Sequence, residues 1–121
     1  MIIGIGTDMI EIDRVVKACE RRHFLEKCFT VDEIALIEQD SRRAADNFAV
    51  KEAVSKMFGT GFSCMQPIEI EVLRDNLGCP YVNLYGKALD MATKRQVHKI
   101  HVSITNTKKY ANAFVVGEGI E

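Results

Sequence analysis

A chain of 121 residues with 47% hydrophobic and 27% charged residues can bury one core and has none of the composition of a disordered segment. Its net charge of -1 argues against nucleic-acid binding through bulk positive charge, and it lacks the run of roughly 18 apolar residues that a membrane helix needs. Cys19, Cys28, Cys64 and Cys79 show no C-x-x-C pairing and no histidine at zinc-ligand spacing, so buried or half-buried free thiols are expected.

Met1 to Asp8 carries no basic leader and its apolar run is too short for a signal peptide, which makes the cytosol the expected location. Ile2 to Gly6 reads as a short buried strand and Thr7-Asp8 as the turn leaving it. Gly4 and Gly6 invite a dinucleotide site, but Met9 stands where that fingerprint needs its third glycine. From Glu11 to about Arg22, Ile12, Val15, Val16 and Cys19 share one helical face, while Arg14, Lys17 and Arg21 form a basic stripe on another. A solvated face is the plain explanation of that stripe.

Thr30-Val-Asp-Glu33 has the form of a capping box and opens a second helix to about Glu38. Asp40-Ser41 then caps a long central helix, Arg42 to Phe58, whose Val50, Val54 and Met57 recur at the spacing of a core-facing stripe. Gly59 ends it in the manner of a left-handed cap, and Gly61 frees the backbone to turn again. Ile68 to Arg74 and Tyr81 to Tyr85 alternate as strands around the turn residues Asp75-Asn-Leu-Gly78. A short helix from Lys87 to about Gln96 precedes a second hairpin, Lys99 to Thr105 and Tyr110 to Val116, joined by Asn106 to Lys109. Strands and helices in separate blocks predict an α+β domain spanning residues 1–121, with a mainly antiparallel sheet packed on the long helix.

The chemistry concentrates in Asn47 to Gly61. Glu52 and Lys56 lie one turn apart on a face beside the apolar stripe, and Lys51 leads toward a third face. If the first strand packs against this helix, Asp8 meets Glu52, and two carboxylates held together call for a cation. Oxygen ligands of this kind, shared with substrate phosphates and water, describe a magnesium site, with Lys56 and the Gly59-Thr60-Gly61 loop beside it. The same residues also suit an ordinary helix-surface pair of roughly 0.3–0.5 kcal/mol and a capping aspartate.

Three segments carry a resemblance: Gly4-Ile-Gly-Thr-Asp-Met-Ile-Glu-Ile-Asp-Arg14, Phe48-Ala-Val-Lys-Glu-Ala-Val-Ser-Lys-Met-Phe-Gly-Thr-Gly61 and Val102-Ser-Ile-Thr-Asn-Thr-Lys-Lys-Tyr-Ala-Asn-Ala-Phe-Val-Val116. Together, in this order, they resemble the holo-acyl-carrier-protein synthases, the small bacterial class of 4'-phosphopantetheinyl transferases. Gly78-x-Pro80 and Gly86-x-Ala88 fit the same pattern. The resemblance implies transfer of phosphopantetheine from coenzyme A to a serine of apo acyl carrier protein, releasing adenosine 3',5'-bisphosphate, in support of fatty acid synthesis. It implies Asp8 and Glu52 as magnesium ligands, Lys56 on the pyrophosphate, and Lys51 with Gly59, Thr60 and Gly61 around the nucleotide. Glu52 acting through a bound water is then the candidate base for the serine. Arg14 corresponds to the arginine that holds the carrier protein's acidic helix, assisted by Arg21 or Arg22, and the family forms trimers with active sites between subunits.

At two positions this chain departs from the family. Asn47 stands where an arginine is usual, with Arg43 one turn earlier as the nearest substitute, and Asn106 stands where a histidine is frequent. Both family residues are associated with holding the coenzyme's phosphates; Lys108 and Lys109 supply charge nearby. A coenzyme A-binding protein without activity and a magnesium-dependent nucleotide hydrolase are the competing expectations.

Overall fold

Strands and helices follow one another in blocks: β1 (Ile2–Glu11), α1 (Ile12–Ala18), α2 (Arg22–Cys28), α3 (Val31–Gln39), α4 (Arg43–Met57), β2 (Ile70–Arg74), β3 (Pro80–Leu84), α5 (Gly86–Arg95), β4 (Lys99–Asn106) and β5 (Tyr110–Glu118). The computed structural model describes residues 1–120. β1, β5 and β4 form one antiparallel sheet in that order, and β2 pairs with β3 in a second. The expected α+β architecture is present, with its strands divided between two sheets.

Val50, Val54 and Met57 are buried as their spacing requires, and α4 packs chiefly on β1 and β5. Small residues let the backbones approach. Ala111 and Ala113 of β5 are fully buried against the helix side of the sheet. A Cβ at Gly6 would collide with the Ala53 carbonyl, and one at Gly4 with the Met57 carbonyl. The Gly-x-Gly of the N-terminus therefore serves close packing of strand on helix. Gly6→Ala is expected to lower stability by roughly 1–3 kcal/mol, since backbone must move to admit the methyl; chemical denaturation measures it, and an unchanged midpoint would contradict this packing.

Two boundaries differ from expectation. β1 continues to Glu11, so Asp8 is a strand residue opposite Ala113 and not part of a turn. The helix expected from Glu11 to Arg22 breaks after Ala18, where successive backbone bonds shorten to i→i+3 and Arg21 turns extended before α2. Ile2 and Ile5 of β1 are exposed, contrary to the expected buried strand, and Arg42, without a side-chain cap bond, is the N-cap of α4 in place of Asp40-Ser41. The other turn and cap signals hold. Thr30 and Glu33 form the complete capping box of α3. The β2–β3 turn is stabilised by Asp75 Oδ1, which accepts from the backbones of Leu77 and Cys79. Cys19 is half-buried and Cys28 buried, but Cys64 and Cys79 are exposed, contrary to the expectation for all four.

Lys51 is the main correction. It is fully buried, so it is not available to touch a coenzyme directly. Its ammonium donates to Glu33 Oε1 at 2.7 Å and to the carbonyls of Pro67 and Ile70. Glu33, equally buried, also accepts from the backbone of Val72 and from Asn47 Nδ2, while Asn47 donates to the Val72 carbonyl. Three side chains from α3 and α4 thus satisfy the edge of β2 that faces away from β3, where a neighbouring strand would otherwise be needed.

Candidate active site

Asp8 lies on the helix-facing side of β1, in step with Gly4 and Gly6, and the close contact of strand and helix brings it to Glu52 and Lys56. Its Oδ1 accepts from Lys56 Nζ at 2.8 Å, and the same ammonium reaches the Thr7 carbonyl at 3.2 Å. The Asp8 side chain is only 9% exposed, and its Oδ2 is buried with no hydrogen-bond partner among the described residues. Burial, followed by the charge of the neighbouring Asp8, pushes the Glu52 carboxyl above the ordinary carboxylate range, against the pull of Lys56. The hydrogen bond to Asp8 raises the Lys56 ammonium in turn.

Two carboxylates and one half-exposed ammonium leave this place short of positive charge. An orphaned, buried carboxylate oxygen next to a carboxyl of raised proton affinity is the donor set that a hard divalent cation fits. Among the described residues no group of three or more His, Cys, Asp or Glu stands ready to hold a metal. Water and substrate phosphate would fill the other positions, as magnesium favours.

The carboxylates open onto a cleft of about 530 Å³ that Arg14 also lines, walled by Phe24, Phe48 and Tyr110. These aromatic residues escaped the sequence reading. Phe48 packs at 6.1 Å from Phe24 and 6.3 Å from Phe62, and apolar residues of this kind read as core until the cleft is seen. At the end of α4, Gly59 donates to the Lys56 carbonyl and Thr60 to that of Ser55, a Schellman closure. Gly59 and Gly61 have φ of 80° and 59°, and nothing approaches the place of either missing Cβ, so this loop presents bare backbone beside Lys56.

The other sequence candidates divide by location. Arg14 faces the cleft and also borders a shallow groove with Lys17 and Arg21, so the basic stripe persists across the helix break. Arg22 pairs instead with Glu26 at 2.9 Å on the surface. Arg43 and Asn106 gather at the other end of α4: Arg43 donates to Gln39 Oε1 and Asn106 Nδ2 to Asp46 Oδ1. Arg74, which no sequence signal singled out, joins them by donating to Asn47 Oδ1 at 2.9 Å.

Residues 4–115 match the family model of the 4'-phosphopantetheinyl transferase superfamily. The holo-acyl-carrier-protein synthase of Lachnoclostridium phytofermentans is 66% identical over 118 residues, covering 98% of this chain and 97% of its own. Among solved structures, the holo-acyl-carrier-protein synthase of Plasmodium yoelii superposes with a TM-score of 0.86 at 32% identity, covering 100% of this chain and 98% of that one. The Bacillus anthracis enzyme, solved in complex with coenzyme A (3',5'-ADP), does so with a TM-score of 0.81 at 32% identity, covering 99% of each chain. A family-model match over residues 4–115 and 66% identity over nearly the whole length of both chains show that the chain belongs to the holo-acyl-carrier-protein synthase family of 4'-phosphopantetheinyl transferases.

Proposed function

We propose that this enzyme transfers the 4'-phosphopantetheine arm of coenzyme A to a serine of apo acyl carrier protein and releases adenosine 3',5'-bisphosphate, in support of fatty acid synthesis. The observation that carries the site assignment is the meeting of Asp8, Glu52 and Lys56 at the mouth of the cleft. Asp8 and Glu52 would hold magnesium, which when bound offsets the charge that builds on the pyrophosphate oxygens as the serine attacks. Lys56 is half exposed and places its ammonium on the same oxygens, acting by electrostatic stabilisation. Glu52, acting through a bound water, is the candidate to take the serine's proton. The bare backbone of Gly59, Thr60 and Gly61 admits the nucleotide end.

Arg14, Lys17 and Arg21 offer an acidic carrier protein a basic approach to the cleft, a feature that speeds encounter and fixes orientation. A homotrimer is the assembly we infer. It is supported by the outward face of the three-stranded sheet, where Ile5, Met9, Tyr110 and Phe114 are exposed together and need a partner surface.

Incubating apo carrier protein with coenzyme A, magnesium and this enzyme should add the mass of one phosphopantetheine to the carrier, read by intact-protein mass spectrometry. Release of adenosine 3',5'-bisphosphate without any carrier would point to a hydrolase, and binding of coenzyme A with no product of either kind to a passive binder.

A further inference from the structure

Gly59 and Gly61 have nothing packed where a Cβ would stand, so the shape of the loop beside Lys56 depends on how its two ends are held. The far end is fixed by Phe62, whose ring lies 6.3 Å from that of Phe48, and by Ser63 Oγ, which donates to the Thr60 carbonyl at 2.7 Å. The near end is the last turn of α4. Its Schellman closure satisfies the carbonyls of Ser55 and Lys56 and leaves that of Phe58, the C-cap residue, without a backbone donor. A side chain 37 residues further along supplies one: Arg95 Nη1 donates to the Phe58 carbonyl at 2.9 Å.

Arg95 is the last residue of α5, and the backbone that carries it is itself held. Ala88 and Ala92 bury one side of α5. Gln96 takes a left-handed conformation with φ of 61°, its amide donates to the Thr93 carbonyl at 3.2 Å, and the Val97 amide donates to that of Ala92 at 2.9 Å. This second Schellman closure fixes where the Arg95 side chain leaves the helix. From there the guanidinium brings positive charge to the C-terminus of α4, where the helix dipole concentrates negative charge. Lys56 does not depend on this contact, because Asp8 and the Thr7 carbonyl of β1 hold its ammonium.

We propose that Arg95 is a positioning residue for the coenzyme: by holding the Phe58 carbonyl it fixes the Gly59-Thr60-Gly61 loop in the shape that receives the nucleotide end. The inference rests on that loop being the nucleotide's seat, as proposed above. Since β1 holds Lys56 separately, loss of Arg95 weakens coenzyme binding and spares the chemical step.

Hydrogen exchange and steady-state kinetics of the parent enzyme, Arg95→Met and Arg95→Lys test the assignment. Arg95 is exposed, so Arg95→Met removes the donor and keeps an apolar stem without opening the core. In the free Arg95→Met enzyme the amides of residues 59–61 are expected to exchange about 3- to 10-fold faster, the scale of one net hydrogen bond, while those of residues 50–54 are unchanged. KM for coenzyme A rises by a similar factor, and kcat and KM for the carrier protein stay within about twofold. Arg95→Lys recovers part of both effects, because an ammonium donates to the same carbonyl and keeps the charge at the helix end. A variant that melts lower than the parent with an unchanged KM for coenzyme A would reduce Arg95 to a tether between helices and overturn the proposal. A raised KM with unchanged loop exchange would also overturn it, since Arg95 would then act on the coenzyme directly. Coenzyme A should slow exchange of residues 59–61 in the parent. No slowing there overturns the loop as the nucleotide's seat, and this role with it, whereas slowing in the parent with equal loop exchange in free parent and Arg95→Met overturns the role of Arg95 alone.

Discussion

Glu52→Gln is expected to cut the rate of carrier modification by about 10²–10³-fold, the range found when one group that stabilises developing charge is removed. The same variant should melt at the parent's temperature or above it. Glu52 and Asp8 crowd two carboxylates around the single ammonium of Lys56, and Asp8 Oδ2 is buried without a partner, so removing one negative charge relieves repulsion in the magnesium-free protein. Loss of rate without loss of fold separates a site from a structural salt bridge, whose removal would lower stability and leave the rate alone. The magnesium concentration giving half the maximal rate should rise in the same variant. Rate measured by mass spectrometry and melting by differential scanning fluorimetry check both halves, and full activity in Glu52→Gln would remove these carboxylates from the mechanism.

Lys51→Met, by contrast, should damage the fold. It strips the ammonium from Glu33, a carboxylate with no exposure, and breaking such a buried pair from one side costs roughly 3–5 kcal/mol. At about 4 °C per kcal/mol for a chain of this size, the melting temperature falls by about 12–20 °C. Burial pushes the Glu33 carboxyl up and the Lys51 ammonium down, so each charge survives inside only because the other is there. Adding Glu33→Gln to Lys51→Met removes the stranded charge and should recover part of the loss. The recovery is incomplete, because Glu33 accepts bonds from Thr30, Asn47 and Val72 that an amide can match only in part. A single variant as stable as the parent would show that the pair contributes nothing to the β2 edge.

Glu71, beside this network, extends the argument to pH. Burial alone would push its carboxyl up, but hydrogen bonds from Thr30, Asn83 and Tyr85 outweigh it and hold the group below the usual carboxylate range. A depressed acid stabilises the fold above the unfolded carboxylate pKa, and that contribution is lost as pH falls through the folded value.

Where local chemistry chooses the backbone, the sequence alone determined the outcome. Thr30 and Glu33 close their capping box, Gly59 takes the left-handed cap of α4, Asp75 and Gly78 turn the first hairpin, and the stripe of Val50, Val54 and Met57 faces the core. Each depends on residues a few positions apart. The motif order also carried the family, because it lies in the linear chain. Tertiary structure alone decided how far β1 runs, since its polarity is inverted. Ile5 and Met9 face outward, while Gly6 and Asp8 face the helix, so no inward apolar alternation marks the strand. Only packing sent Lys51 into the interior while Lys56, five residues later on the same helix, stays half exposed. Their partners, Glu33 and Asp8, come from distant segments whose arrival no spacing along α4 reveals. Arg74 and Asn47 are 27 residues apart and meet because β2 lies alongside α4, a pairing set by the fold as a whole.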